Sequence, residues 1–315
     1  MQERTAVVFP GQGCQRPGMG RDFYEAFATS RDIYERASAA LGMDVAALCF
    51  GDDERLGRTE FSQPAILTTE LAMVAGLESQ FGLTAQTWGG HSLGEYTALV
   101  AAGALELESA VRIVRERGRL MQEAVPVGVG GMVAVIGDAI NHDRLRGCFD
   151  SLQVELANDN EIGQVIVSGL INDLAVVQER IRLASDTGAD RFVELSVSAP
   201  FHSTLMESVA VPFREVLLAN LAGFDASRAG NVTCNVTGGF HECDERLLID
   251  RLVQQISGTV RWRDNMQALV DRCTTFVEVG PGRPLRGFFR TIDVDVSGII
   301  SVRSAQRAFS TRLAS

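Results

Sequence analysis

The sequence predicts an α/β protein: a parallel sheet flanked by helices, with a smaller ferredoxin-like unit inserted into it. Three observations carry that expectation. Short apolar strands alternate with helices in the first 126 residues and return after residue 198, the pattern of a parallel sheet buried on both faces. Between these parts, residues 127–198 read strand, helix, strand, strand, helix, strand, the order of a ferredoxin-like unit. Finally, Gly90-His91-Ser92-Leu93-Gly94 falls where a strand gives way to a helix, which is the setting of a nucleophile elbow.

The first strand is residues 6–9, Ala-Val-Val-Phe. Amphipathic helices are expected near 24–41, 64–81 and 109–124, and a short strand at 83–88 leads into the elbow. Residues 95–104, rich in Ala and Leu, supply the helix after it. In the insertion, strands are expected at 132–136, 153–157, 164–168 and 191–197, with helices at 139–149 and 170–187. The polar run 158–163 reads as a loop. Beyond it, the buried strand 275–279 meets Gly280-Pro281-Gly282. The expected division is a large domain of residues 1–126 and 199–315 and a small domain of residues 127–198.

Composition narrows the function. Of 315 residues, 46% are hydrophobic and 22% charged, ordinary values for a globular protein. No apolar run approaches the roughly 20 residues that span a bilayer, and the N-terminus does not read as a signal peptide. A cytoplasmic protein without membrane partners is therefore expected. Six cysteines lie scattered without a C-x-x-C pair, so neither a metal site nor a disulfide framework is expected. A net charge of −11 argues against nucleic acid as the main partner. All basic residues are arginine, so a bound anion would meet guanidinium.

A serine hydroxyl is a weak nucleophile and needs a base. Ser92 stands on the elbow, and four histidines are available to serve it. His91 is its chain neighbour and is expected to point away; His142 and His241 read as solvated surface. His202, after a strand end and a proline turn in Ala199-Pro200-Phe201-His202, is the candidate that remains. Acyl transfer also needs donors for a developing oxyanion. The N–H of Leu93 is one by its place after the nucleophile. The loop Phe9-Pro10-Gly11-Gln12-Gly13 is suited to a second. Neither G-x-G-x-x-G after a strand nor a phosphate-binding P-loop is present.

Taken together, these segments resemble the malonyl-CoA:acyl-carrier-protein transacylases of fatty acid synthesis and the discrete acyltransferases of polyketide synthases. The motifs are Phe9-Pro-Gly-Gln-Gly13, Gln63-Pro-Ala65, Gly90-His-Ser-Leu-Gly-Glu-Tyr96, Arg117-Gly-Arg-Leu-Met-Gln122, Gln164 to Gly169, Ala199-Pro-Phe-His202, Leu252-Val-Gln-Gln255 and Glu278-Val-Gly-Pro-Gly282, in family order along most of the chain. The resemblance implies an α/β-hydrolase-like large domain with a ferredoxin-like insertion. It implies that Ser92 carries the acyl group, that His202 is base and then acid, and that Gln12 and Leu93 bind the oxyanion. It assigns Arg117 to the malonate carboxylate, the Gln255 carbonyl to orienting His202, and Phe201 to excluding an α-methyl. Asn158 and Asn160 fall in the family's polar small-domain loop. The implied reaction moves malonyl from malonyl-CoA to the phosphopantetheine thiol of an acyl carrier protein, with no metal or other cofactor, in a monomer. An editing hydrolase of the same fold is the alternative, against which Arg117 weighs. Arg261, Arg263, Arg286 and Arg290 are expected to face an acidic carrier protein.

Overall fold

Strand β1 (Thr5–Phe9) is an inner strand of a four-stranded parallel sheet and is buried along its whole length. It pairs in parallel with β2 (Thr87–Gly90), Ala6 opposite Thr87 and Phe9 opposite Gly90. On its other side is β7 (Thr275–Val279), which pairs in turn with β8 (Ser297–Ile299), giving the order β2-β1-β7-β8. Alternate residues of β1 point to opposite faces. Val7 and Phe9 join one apolar core, Ala6 and Val8 the other, so helices cover the sheet on both sides. The structure is a computed structural model and describes residues 4–310 except 185 and 198. The expected boundary at Ser198 and the two chain ends lie outside the described residues.

The second sheet is antiparallel, ordered β4-β5-β3-β6. Its strands are β3 (Gly130–Gly137), β4 (Val154–Glu161), β5 (Gln164–Leu170) and β6 (Ala189–Glu194). With helices His142–Gly147 and Ile171–Leu183 between them, this is the expected ferredoxin-like order. Val133 and Val135 face Leu174, Val177 and Ile181, whereas Met132 and Ala134 join the apolar core that holds Val7 and Phe9 of the parallel sheet. The small sheet is thus one wall of a cleft and a self-contained layer at once.

Several boundaries differ from expectation. β4 runs to Glu161, so Asn158 and Asn160 belong to a strand and the loop shrinks to a tight turn at 162–163. Asn158 and Asn160 share one face of this strand and line the cleft. The helix expected from 64 starts five residues earlier, as Thr59–Phe81, and holds Pro64 inside it. β2 begins at Thr87, later than expected, and the elbow helix is Leu93–Ala101.

The two sheets are tied together beside the cleft. Val260 N–H donates to the Ala157 carbonyl and Asp159 N–H to the Val260 carbonyl, each at 2.9 Å. The edge of β4 is thereby fixed to the segment between helices Glu245–Gln254 and Trp262–Val270.

Candidate active site

Ser92 sits between β2 and the helix Leu93–Ala101 with φ 53° and ψ −102°. This sparsely populated conformation costs on the order of 1–3 kcal/mol and persists only where surroundings enforce it. The flanking glycines do so by close approach. A Cβ on Gly90 would overlap the backbone of Gly94, and one on Gly94 would strike the Phe9 carbonyl. The Ser92 N–H donates to Asn235 Oδ1 at 2.7 Å, and the serine side chain does not cap its own helix. Its hydroxyl is left facing the cleft.

There it lies 2.7 Å from His202 Nε2. His202 Nδ1 is 2.8 Å from the Gln255 carbonyl oxygen. A carbonyl only accepts, so Nδ1 carries the proton and the bare Nε2 accepts from the Ser92 hydroxyl. His202 also has a positive φ, 58°, and is only 4% exposed. Burial, and then the nearby Arg117 charge, pull its pKa down to about 3, partly offset by the Gln255 carbonyl. The imidazole is held neutral, in the tautomer a general base requires.

Arg117 reaches the same point from the helix Leu107–Glu123. It is 1% exposed. One Nη1–H donates to Gln63 Oε1 at 2.9 Å, while Nη2 donates to Gln255 Oε1 at 3.0 Å and to Ser92 Oγ at 3.2 Å. The guanidinium lies over the Tyr96 ring, 5.4 Å from its centroid. Burial lowers its pKa from the usual value without an adjacent carboxylate to restore it fully. A buried guanidinium of this kind suits an anionic group.

A cavity of about 520 Å³ opens over these groups and is lined by Gln12, Ser92, Leu93, Arg117, Phe201 and His202, among others. Leu93 is the first residue of its helix, so no carbonyl a turn earlier claims its N–H. Gln12 Nε2 donates to Thr59 Oγ1 at 3.2 Å, anchoring the loop after β1 beside the serine. Asn158 and Asn160 line the wall given by β4.

The other histidines differ from expectation. His91 does not turn away from the site: it lines the cavity, and its Nε2 is 2.8 Å from Asn160 Oδ1, joining the elbow to the small sheet. His241 is not on the surface; its side chain is fully buried and its Nε2 lies 2.7 Å from Glu95 Oε1. His142 is half-buried, with Nε2 3.6 Å from Asp159 Oδ1. The flanking pattern misled because a glycine-rich loop was read as exposed, whereas residues 232–241 fold back against the elbow. Three of the four arginines expected to face a partner are partly exposed and also pair with carboxylates: Arg261 with Asp264, Arg263 with Asp159 and Arg286 with Asp295. Residues without an expected role also enter the site. Gln63 and Glu95 lay inside noted motifs; Asn235 carried no local signal.

A strained serine at hydrogen-bond distance from a neutral imidazole fits an enzyme that works through a covalent acyl-serine. The Acyl transferase domain model matches residues 6–285. The malonyl CoA-acyl carrier protein transacylase of Bacillus subtilis (strain 168) is 37% identical over 298 residues, covering 92% of this chain and 90% of that protein. Its counterpart from Staphylococcus aureus (strain MRSA252) is 37% identical over 300 residues, 93% and 94% covered. Among solved structures, the malonyl CoA-acyl carrier protein transacylase of Clostridium perfringens Atcc 13124 superposes with a TM-score of 0.90 at 34% identity, over 99% of this chain and 98% of that one. A type II PKS acyl-carrier protein in complex with its malonyl-transacylase gives a match of TM-score 0.89 at 32% identity, covering 98% and 99%. The chain belongs to the acyl transferase domain family, in its two-domain α/β form.

Proposed function

We propose that this protein transfers malonyl from malonyl-CoA to the phosphopantetheine thiol of an acyl carrier protein. The observation that carries the reading is Arg117, a buried guanidinium 3.2 Å from the Ser92 hydroxyl. A neutral acyl group has no use for that charge. The free carboxylate of a malonyl thioester fits it, with the thioester carbon beside Ser92 Oγ. Relatives named for the same transfer support the assignment.

The geometry supports the following steps. Ser92 Oγ attacks the thioester carbon as its proton passes to His202 Nε2, and the Gln12 and Leu93 N–H groups hold the oxyanion. The C–S bond breaks, and the imidazolium returns its proton to the departing CoA thiolate. The carrier thiol then gives its proton to Nε2 and attacks the acyl-serine ester. That C–O bond breaks and Ser92 recovers its proton. The Gln255 carbonyl keeps Nδ1 protonated throughout, so no carboxylate is needed as a third member. Phe201, 7% exposed on the cavity wall, leaves little room for an α-methyl on the acyl group. No step calls for a metal or redox cofactor.

The test is a pair of half-reactions: malonyl-CoA with enzyme alone, then carrier protein added to the acylated enzyme. Serine-bound malonyl that moves to the carrier thiol supports the reading. Loss to water at the same rate with or without carrier would mark an editing hydrolase.

A further inference from the structure

Beneath the elbow lies a buried polar network centred on Glu95 and His241, which take no part in the transfer steps above. Glu95, on the helix after Ser92, is fully buried and accepts at both oxygens. Oε1 faces His241 Nε2 at 2.7 Å. Oε2 accepts from Gln255 Nε2 at 2.6 Å and from the Asn235 N–H at 3.1 Å. Both of those partners continue to the site. Asn235 Oδ1 takes the Ser92 N–H, and the Gln255 amide donates to the Ser92 carbonyl at 3.0 Å while accepting from Arg117 Nη2.

The Gln255 amide therefore bridges an anion and a cation. Its N–H end meets a carboxylate, its oxygen end a guanidinium, and each partner polarises the amide in favour of the other. Remove the carboxylate and the amide keeps its contacts to Arg117 and to the Ser92 carbonyl but loses the shortest of its hydrogen bonds. The buried guanidinium also loses the acidic side chain whose field supports its charge.

We infer that Glu95 and His241 are positioning residues that act through the Gln255 amide to set Arg117 for an acyl carboxylate. The inference rests on the malonyl-transfer reading above. Cys234 Sγ lies within 4.8 Å of the two, but the group does not read as a metal site. Imidazole and carboxylate stand at hydrogen-bond distance, whereas two ligands at about 2.0–2.1 Å around one tetrahedral zinc would sit more than about 3 Å apart.

The experiment compares malonyl-CoA with acetyl-CoA as acyl donors to Ser92, since only the first uses Arg117. The readout is the ratio of the two kcat/KM values, measured on the full chain for the parent protein, Glu95→Leu, His241→Phe and Glu95→Gln, with melting temperatures alongside. In Glu95→Leu and His241→Phe the malonyl:acetyl ratio is expected to fall about tenfold or more. In Glu95→Gln the fall is expected to be smaller than in those two, because a side-chain oxygen still meets Gln255 although the supporting charge is gone. A general loss of stability would lower both donors alike. If Glu95→Leu and His241→Phe do not fold, Glu95→Asp, too short to reach both partners, reads the same ratio. An unchanged ratio in a folded Leu, Phe or Asp variant overturns the inference, as does Glu95→Gln losing the ratio as fully as the others. A parent protein that never acylates Ser92 with malonyl defeats the functional reading instead.

Discussion

His202 Nδ1 hydrogen-bonds the backbone carbonyl of Gln255 at 2.8 Å, in the place where many serine enzymes hold a carboxylate. The consequence is electrostatic. A carbonyl fixes the tautomer but offers an imidazolium less stabilisation than a carboxylate would. The base stays neutral down to low pH, and the developing positive charge on His202 is met mainly by the oxyanion forming beside it.

The pH dependence of acylation follows. An ordinary imidazole titrates near 6.5, whereas His202 is pulled to about 3. Below its pKa the base is protonated and lost; above it the base is available. Second-order acylation by malonyl-CoA is therefore expected to stay flat from pH 8 down to about pH 5, with no inflection near 6.5 from His202. Because Arg117 contributes to the depression, a bound carboxylate should raise this pKa, and the apparent value in kcat should lie above that in kcat/KM. The same shift bears on stability. Between about 3 and 6.5 the unfolded chain binds more protons at this residue than the folded one, so the group removes stability as pH falls through that window.

Arg117→Ala deletes the seat for the acyl carboxylate. A hydrogen bond to a charged group is worth about 1.5–3 kcal/mol, so malonyl kcat/KM is expected to fall by at least about 10- to 150-fold. Acetyl transfer should fall far less, and steady-state assays with both donors separate the two.

Phe201→Ala opens the wall beside His202. Discrimination against one methyl group is worth about 1–3 kcal/mol, so the preference for malonyl over methylmalonyl is expected to drop by up to about 10- to 200-fold. Competition between the two CoA thioesters, read by mass spectrometry of the acylated enzyme, measures it.

Gly94→Ala tests the elbow. The new methyl would strike the Phe9 carbonyl, so β1 and the elbow helix must part. A loss of at least about 1–3 kcal/mol in denaturant unfolding is expected, together with slower Ser92 acylation.

The fold was legible where periodicity was strong. β1 and β7 lie within a residue of expectation because their apolar runs are bounded by prolines and glycines. The ferredoxin-like order was readable from alternation alone, yet the reach of β4 was not, since Asn158-Asp159-Asn160 looks like a loop in any local window. Ser92 and His202 came from motif and elimination. The support beneath them did not: His241, Asn235 and Glu95 meet only through long-range folding, with 140 or more residues between Glu95 and its partners. Arg117 differs from its helical neighbours in burial, and burial is a property of the tertiary fold.

The most direct measurement is mass spectrometry of the protein after brief exposure to malonyl-CoA, repeated after addition of a carrier protein bearing phosphopantetheine. One malonyl ester on Ser92, absent in Ser92→Ala and discharged onto the carrier thiol, is the expected result. Malonyl found on another residue, or a carrier loaded equally well by Ser92→Ala, would contradict it.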